Sequence, residues 1–214
     1  MKHQPVLSFP DSASGMTRRA LAKQRTRQRL LGAARRLFTA RGYDAATIRD
    51  IASEADLSTG AVFASFSDKA ELFNEVIIAD CEALLTAMSG VKAADSAGET
   101  LLRMLSLGYE QHCDQLPLTQ AAMGFSWVRD SEHEERYRQV LRRVVAQLGD
   151  VLRHGVERGE LSENLDVPLT SEMLLDAYLS NFRRAIFDGW TIETLRERLE
   201  SQIDVLLAGY RAAA

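Results

Sequence analysis

The sequence predicts an all-α protein of about nine helices, with a small three-helix unit at the N-terminus and a larger helical body behind it. Apolar residues recur at helical spacing along most of the 214 residues, and no segment of useful length alternates as a strand does. Glycine and proline residues separate the periodic segments. Hydrophobic residues make up 46% of the chain and charged residues 26%, which is ordinary for a soluble globular protein.

The chain begins with a stretch that lacks periodicity and then turns helical. We expect residues 1–17 to form a disordered tail, and Met16 is a second candidate for the translation start. Residues 18–41 follow a helical pattern, and Gly42 stands where a helix C-terminus favours glycine. The apolar face of this helix carries Leu30, Ala34, Leu37 and Phe38.

Two short helices are predicted next, at the spacing of a helix-turn-helix motif. Thr47 and Asp50 form a capping box at the start of the first helix, and Ser58 caps a second helix over residues 59–65. A turn at Asp56 separates them. Small and polar residues on the second helix are suited to a DNA major groove. The residues expected to bury between these helices are Ile51, Ala52, Leu57, Val62 and Phe66.

The remaining segments are also predicted to be helical. A long helix opens at Asp68 and runs over residues 69–91. Its expected inner register is Leu72, Val76, Ala79, Ala83 and Ala87. Later helices are predicted over residues 98–113, 117–128, 132–158, 168–188 and 191–212.

Charge is divided unevenly along the chain. Residues 1–70 carry twelve Lys and Arg against six Asp and Glu, whereas the whole chain has a net charge of −4. The N-terminal part is therefore basic and the remainder acidic, as expected when only one end of a protein meets a polyanion.

Several classes of function lack support in the sequence. The two cysteines and four histidines have no metal-ligand spacing, so we expect neither a metal nor another cofactor. No nucleophile elbow, phosphate loop or zinc-protease motif occurs, and we do not expect an enzyme. No apolar run is long enough to span a bilayer or to direct secretion, which favours a cytoplasmic protein.

Residues 24–78 resemble the DNA-binding domain of the TetR family of bacterial one-component regulators. The resemblance lies in the order and spacing of several short stretches. These are Arg35–Phe38, Arg41–Tyr43, Thr47–Ala52, Gly60, Phe66, Asp68–Lys69 and Glu71–Leu72. It implies three regions: a tail over residues 1–17, a helix-turn-helix domain over 18–68, and a ligand-binding and dimerisation domain over 69–214.

The resemblance also implies which residues meet DNA. The implied contacts are Thr47, Ser58, Thr59, Gly60, Ala61, Phe63, Ala64, Ser65, Lys69, Arg25 and Arg27. A plain N-cap at Thr47 and a solvated lysine at Lys69 are the structural alternatives. The sequence departs from the family at Phe63 and Ser65, and Asp56 stands where the family usually has a turn glycine.

In the body, the resemblance implies a ligand cavity and a two-fold helical interface. The candidate cavity residues are Met104, Tyr109, His112, Met123, Trp127, Tyr178, Asn181 and Phe182, for which plain core packing is the alternative. The candidate dimer residues are Leu175, Leu179, Phe182, Ile186, Leu195, Leu199 and Ile203.

The function implied is that of a homodimeric repressor in the bacterial cytoplasm, at the nucleoid when it is bound to DNA. A small-molecule inducer of unknown identity would release it from a palindromic double-stranded DNA operator. The alternative is a constitutive DNA-binding protein or activator with no small-molecule ligand. A membrane is not among the expected partners.

Overall fold

The computed structural model describes residues 18–125 and 131–211, with the side chains of residues 131–133 excepted. The predicted tail over residues 1–17 lies outside this part of the chain. Nine helices occur within the described residues. They are α1 (Arg18–Ala45), α2 (Ile48–Glu54), α3 (Thr59–Phe63), α4 (Lys69–Ser89), α5 (Ala97–Cys113), α6 (Leu116–Phe125), α7 (Ser131–Glu157), α8 (Val167–Asp188) and α9 (Ile192–Leu207).

The all-α prediction is confirmed, and most predicted helix starts are right within two residues. Gly42 has the positive φ of 76° expected at a helix stop, although a further short helical piece carries α1 to Ala45. The largest difference lies at the end of α9, which is predicted to reach residue 212 but stops at Leu207. No helix of the described residues is long and apolar enough to cross a membrane.

The first three helices and the start of α4 form the N-terminal unit, which we call the head. Its core contains Leu30, Phe38, Ile51, Val62 and Phe66, together with Leu72, Phe73, Val76 and Ile77 of α4. The other half of α4 belongs to a second core, in which Leu84, Leu85 and Met88 pack against α5, α7, α8 and α9. Because one continuous helix belongs to both cores, the head and the body are joined along its length.

The predicted inner register of α4 is wrong in its second half. Ala79, Ala83 and Ala87 are exposed, whereas Asp80 and Leu84 are buried. A helix has 3.6 residues per turn, so residues spaced four apart do not stay on one face. The predicted register, which has mostly four-residue steps, therefore turns away from the core. The true inner face alternates steps of three and four residues.

Candidate nucleic-acid interface and ligand cavity

The helix-turn-helix is fixed by local hydrogen bonds. The backbone NH of Asp50 donates to the Thr47 hydroxyl, and the Asp50 carboxylate accepts from the Thr47 backbone, so the predicted capping box is formed. The Ser58 hydroxyl accepts from the NH of Ala61 at 3.2 Å and caps α3. Asp56 has a φ of 52°, so it takes the left-handed conformation that this turn requires.

The packing of α3 leaves one of its faces open to solvent. Val62 is fully buried against the core of the head, while Thr59, Gly60 and Ala64 are exposed. Phe63 is 56% exposed, which is unusual for a large apolar side chain. An exposed aromatic ring beside small residues can enter a groove and contact a thymine methyl group.

The predicted DNA contacts fall into two groups. Seven are exposed: Arg25, Thr47, Ser58, Thr59, Gly60, Phe63 and Ala64. Arg27, Ala61, Ser65 and Lys69 are partly buried. The Thr47 and Ser58 hydroxyls already take part in helix caps, so the capping role holds for both.

Arg27 and Lys69 bind other parts of the protein. Arg27 is paired with Glu75 at 2.5 Å and donates to the carbonyl of Ser65 at 2.9 Å. The Lys69 Nζ atom donates to the carbonyls of Tyr43 at 3.0 Å and Ala46 at 3.2 Å, above the Tyr43 ring. Lys69 is therefore neither free for phosphate nor simply solvated in this structure. Both side chains would have to leave these partners in order to contact DNA.

Two arginines that sequence reasoning missed lie near the N-terminus of α2. Arg41 and Arg49 are exposed, and neither forms an ion pair within the described part of the chain. Hydrogen bonds from Thr47 lower the pKa of Asp50, and the charges of Arg41 and Arg49 lower it further. These two cations therefore stand close to the capping box, on the exposed surface beside α2.

A narrow cavity of about 80 Å³ lies in the body between α4, α5, α6, α7 and α8. Most of its wall is aliphatic or aromatic. Its polar lining side chains are Asp80, His112, Gln115, Thr119, Tyr137 and Tyr178. Within the described residues, no three His, Cys, Asp or Glu side chains are grouped so as to hold a metal ion.

Four predicted cavity residues line this space: His112, Met123, Tyr178 and Phe182. Met104, Tyr109 and Asn181 do not line it, and Trp127 lies outside the described residues.

Tyr109 and Asn181 instead belong to a buried polar contact. The Asn181 side-chain amide donates to the Tyr109 hydroxyl at 3.0 Å and to the side-chain carbonyl oxygen of Gln202 at 2.7 Å. The Tyr109 ring stacks on Tyr178 with centroids 4.9 Å apart. These two residues therefore support the cavity wall from behind.

Among the cavity residues that sequence reasoning missed, Asp80 is the charged one. Its side chain is 5% exposed, and its Oδ1 atom lies 2.8 Å from Nη2 of Arg35 on α1. Burial raises the pKa of Asp80 to about 6, against the opposing effect of Arg35. Burial, and then the Arg35 charge, lower the pKa of His112 to about 4, so this imidazole is neutral near pH 7.

The predicted dimer residues are mostly used inside a single chain. Leu175, Phe182, Leu195, Leu199 and Ile203 are at most 7% exposed in the single chain, so they pack in its own core and offer a partner little surface. Leu179 and Ile186 are partly buried against the same core. The outer surface of α8 and α9 carries other apolar side chains: Leu169, Met173, Phe187 and Val205, which are 44–77% exposed.

Comparison with known proteins relates the head, and most of the chain, to bacterial regulatory proteins. Residues 30–76 match the family model described as bacterial regulatory proteins, tetR family. The HTH-type transcriptional regulator SrpR of Pseudomonas putida is 30% identical over 156 residues, which cover 71% of each chain. The HTH-type transcriptional repressor KstR2 of Mycobacterium tuberculosis is 28% identical over 163 residues, covering 70% of this chain and 76% of the relative.

A solved structure agrees with the fold. A TetR-family transcriptional regulator from Mesorhizobium loti superposes with a TM-score of 0.73 at 20% identity, covering 92% of this chain and all of the other. At this level of identity the match supports the helical architecture alone.

Proposed function

Since the chain belongs to the TetR family and is a DNA-binding transcriptional regulator, we propose that it is a homodimeric repressor. In this proposal a small molecule releases the repressor from a palindromic operator. The observation that carries the proposal is the position of α6. Leu118 and Ala122 of α6 line the cavity and also pack on the core of the head. A molecule entering the cavity would therefore press on the element that supports the head.

Aromatic contacts extend this connection. Phe125, at the end of α6, lies 4.5 Å from the Tyr43 ring and 5.0 Å from the Phe73 ring, measured between centroids. Tyr43 in turn holds Lys69 at the start of α4. Packed side chains do not deform continuously, so a shift of α6 would be passed on to these rings.

The proposed DNA-reading surface is the open face of α3 with the cations around it. Thr59, Gly60 and Phe63 would face the bases, and the exposed Arg25, Arg41 and Arg49 would contact phosphates. Of the predicted contacts, Arg27 and Lys69 would have a different role, since they hold α3 and α4 to the rest of the head.

The dimer would form through the outer surface of α8 and α9. Met173, Ala177, Val205 and Leu206 line a shallow groove between these helices, with Arg198, Ser201 and Gln202 at its edges. Exposed apolar residues that are grouped on one surface favour association. A two-fold partner would cover the same surface on both chains and place two heads on one palindromic site.

The DNA-binding part is tested with a labelled duplex taken from upstream of the chain's own gene. We expect saturable binding that survives competitor DNA, and a loss of affinity of about 5–150-fold in Phe63→Ala, since a lost base contact costs about 1–3 kcal/mol. Thr59→Ala should change the sequence preference. Thr86→Ala, at an exposed position in the last turn of α4, is the matched control and should bind as wild type.

Unchanged binding by both α3 variants would contradict the assignment of this surface. Repression is tested separately by deleting the gene and measuring transcription from the same promoter. A rise would support a repressor, whereas a fall would make the protein an activator.

One observation favours the second candidate, a constitutive regulator with no ligand. The cavity volume of about 80 Å³ is well below the ~300 Å³ at which drug-sized ligand sites begin. The two candidates differ in one result. A constitutive regulator would keep its DNA affinity when the cavity is filled, whereas the proposed repressor would lose it.

A further inference from the structure

Asp80 is the one carboxylate among the described residues that line the cavity. Its neighbours on the wall include Ile77, Cys81 and Leu84 from the same helix, so the surroundings are largely apolar. Burying a carboxylate in such a place is costly unless a cation and hydrogen bonds compensate for the lost water. The groups that now compensate the Asp80 charge therefore indicate what kind of ligand could replace them in the cavity.

The compensating cation comes from the head. Arg35 projects from α1 and places Nη2 2.8 Å from Asp80 Oδ1, while Gln115 donates to Oδ2 at the longer distance of 3.5 Å. The Arg35 side chain is 44% exposed, whereas the Asp80 side chain is 5% exposed. If the pair separated, water could solvate the guanidinium but could not replace it at the carboxylate.

Among the described residues of the cavity wall, no other side chain supplies a second cation. His112 from α5 faces the cavity, but it is neutral near pH 7. Thr119 from α6, Tyr137 from α7 and Tyr178 from α8 complete the polar lining, and none carries a positive charge. An occupant that displaced Arg35 would therefore need a positive charge of its own.

We propose that the cavity takes a lipophilic cation, an apolar molecule with one protonated amine, whose ammonium group replaces Arg35 on Asp80. This inference rests on the proposed function, since it names the class of inducer and the contact that the inducer breaks. The apolar part of the molecule would lie against the aliphatic and aromatic wall. Three N–H donors of a primary ammonium would satisfy the carboxylate that Arg35 leaves.

Displacement of Arg35 would loosen the head. Two ion pairs tie α1 to α4, the Arg35–Asp80 pair and the Arg27–Glu75 pair, and Glu75 is also paired with Arg136 of α7. If the Arg35–Asp80 pair breaks, the Arg27–Glu75 pair is the one of these two ion pairs that still joins α1 to α4. The ligand would thus bind more tightly to the state in which the head is free to move, as a population shift requires.

The test is isothermal titration calorimetry of the full chain at pH 7.5 with three matched probes: n-octylammonium, 1-octanol and octanoate. We expect n-octylammonium to bind wild type about tenfold more tightly than 1-octanol does, because a hydrogen-bonded charge is worth about one power of ten or more in affinity. Asp80→Asn should remove this preference while 1-octanol still binds. A thermal unfolding curve checks that each variant folds.

A second pair of variants tests the displacement itself. Arg35→Gln should bind n-octylammonium about tenfold more tightly than wild type, since no ion pair has to break. Arg36→Gln is the matched control, because this neighbouring arginine is paired with Glu54 and not with Asp80.

The outcomes separate the two proposals. If none of the three probes binds, the ligand cavity of the proposed function is contradicted. If 1-octanol or octanoate binds as tightly as n-octylammonium, the cavity stands and the cation inference is overturned. Equal n-octylammonium affinity in Arg35→Gln and Arg36→Gln would overturn the displacement of Arg35.

Discussion

The head and the body use their charged side chains in different ways. In the head, Arg27, Arg29 and Lys69 all donate to backbone carbonyls of the head itself, so charge holds the unit together. In the body, the buried Asp80 is compensated by Arg35, which belongs to the head. The charges of the head are therefore compensated within the head, whereas the compensation of Asp80 in the body depends on where the head places Arg35.

The largest effect is expected from breaking the core of the head. Phe66 is 2% exposed, and the Arg27 guanidinium lies 4.3 Å from the centre of its ring. Phe66→Ala should lower the free energy of unfolding by about 3–5 kcal/mol, as large-to-small core substitutions do. Urea unfolding followed by circular dichroism measures this. A loss below about 1 kcal/mol would show that the head does not depend on this packing.

The body should show a pH dependence that comes from Asp80. Burial raises its pKa from 3.8 to about 6, so the folded protein binds this proton more tightly than the unfolded chain does. The free energy of unfolding should therefore fall as pH rises through this interval, by up to about 3 kcal/mol from this group.

Urea unfolding of wild type and Asp80→Asn at pH 4.5 and 6.5 isolates that contribution, because the other titrating groups are the same in both proteins. The stability difference between the two proteins should change with pH in favour of Asp80→Asn at pH 6.5. A difference that is constant with pH would contradict the raised pKa.

A smaller effect is expected where α5 crosses α8. A Cβ atom on Gly108 would lie 1.9 Å from the Tyr178 hydroxyl oxygen, so Gly108→Ala must push this ring aside. We expect a loss of about 1–3 kcal/mol from overpacking. Gly124→Ala, where an added Cβ meets nothing within 4 Å, is the control and should not destabilise. Equal melting temperatures for the two variants would show that Tyr178 can move freely.

The smallest effect separates a structural cation from a DNA-binding one. Arg49→Met should reduce the slope of log affinity against log salt by about 0.9 per lost phosphate contact and leave the melting temperature unchanged. Lys69→Met should lower the melting temperature, because two carbonyls lose their donor, and should leave the slope as in wild type. The opposite pattern would return Lys69 to the DNA interface and remove Arg49 from it.

The head was predictable from sequence because its signals are local. The Thr47 and Ser58 caps each join residues three apart. Asp56 indicates the turn because aspartate tolerates the left-handed conformation better than most residues do. The partners of Arg27 and Lys69 were not predictable, since Glu75 lies 48 residues from Arg27 and Tyr43 lies 26 from Lys69. Only the packed fold brings such pairs together.

The body was harder to predict for two physical reasons. The error in the α4 register placed Ala79 on the inner face, and this hid the adjacent Asp80, which is in fact buried. On α8 and α9 the most regular apolar rows, such as Leu195, Leu199 and Ile203, fill the core of one chain. The surface left for a partner carries fewer apolar residues, such as Leu169, Met173 and Val205, and the apolar residues of the core rows outnumber them in the sequence.

We propose that the occupancy of the cavity controls DNA binding through α6, and a bulky side chain placed in the cavity can take the place of a ligand. Thr119 of α6 lines the cavity, whereas the next residue, Gln120, is exposed. Fluorescence anisotropy with the upstream duplex compares Thr119→Phe with Gln120→Phe, after unfolding curves show that both fold. We predict that Thr119→Phe lowers DNA affinity by about 5–150-fold, the usual range of allosteric coupling, while Gln120→Phe binds as wild type. Equal, wild-type affinity in both variants would contradict the claim.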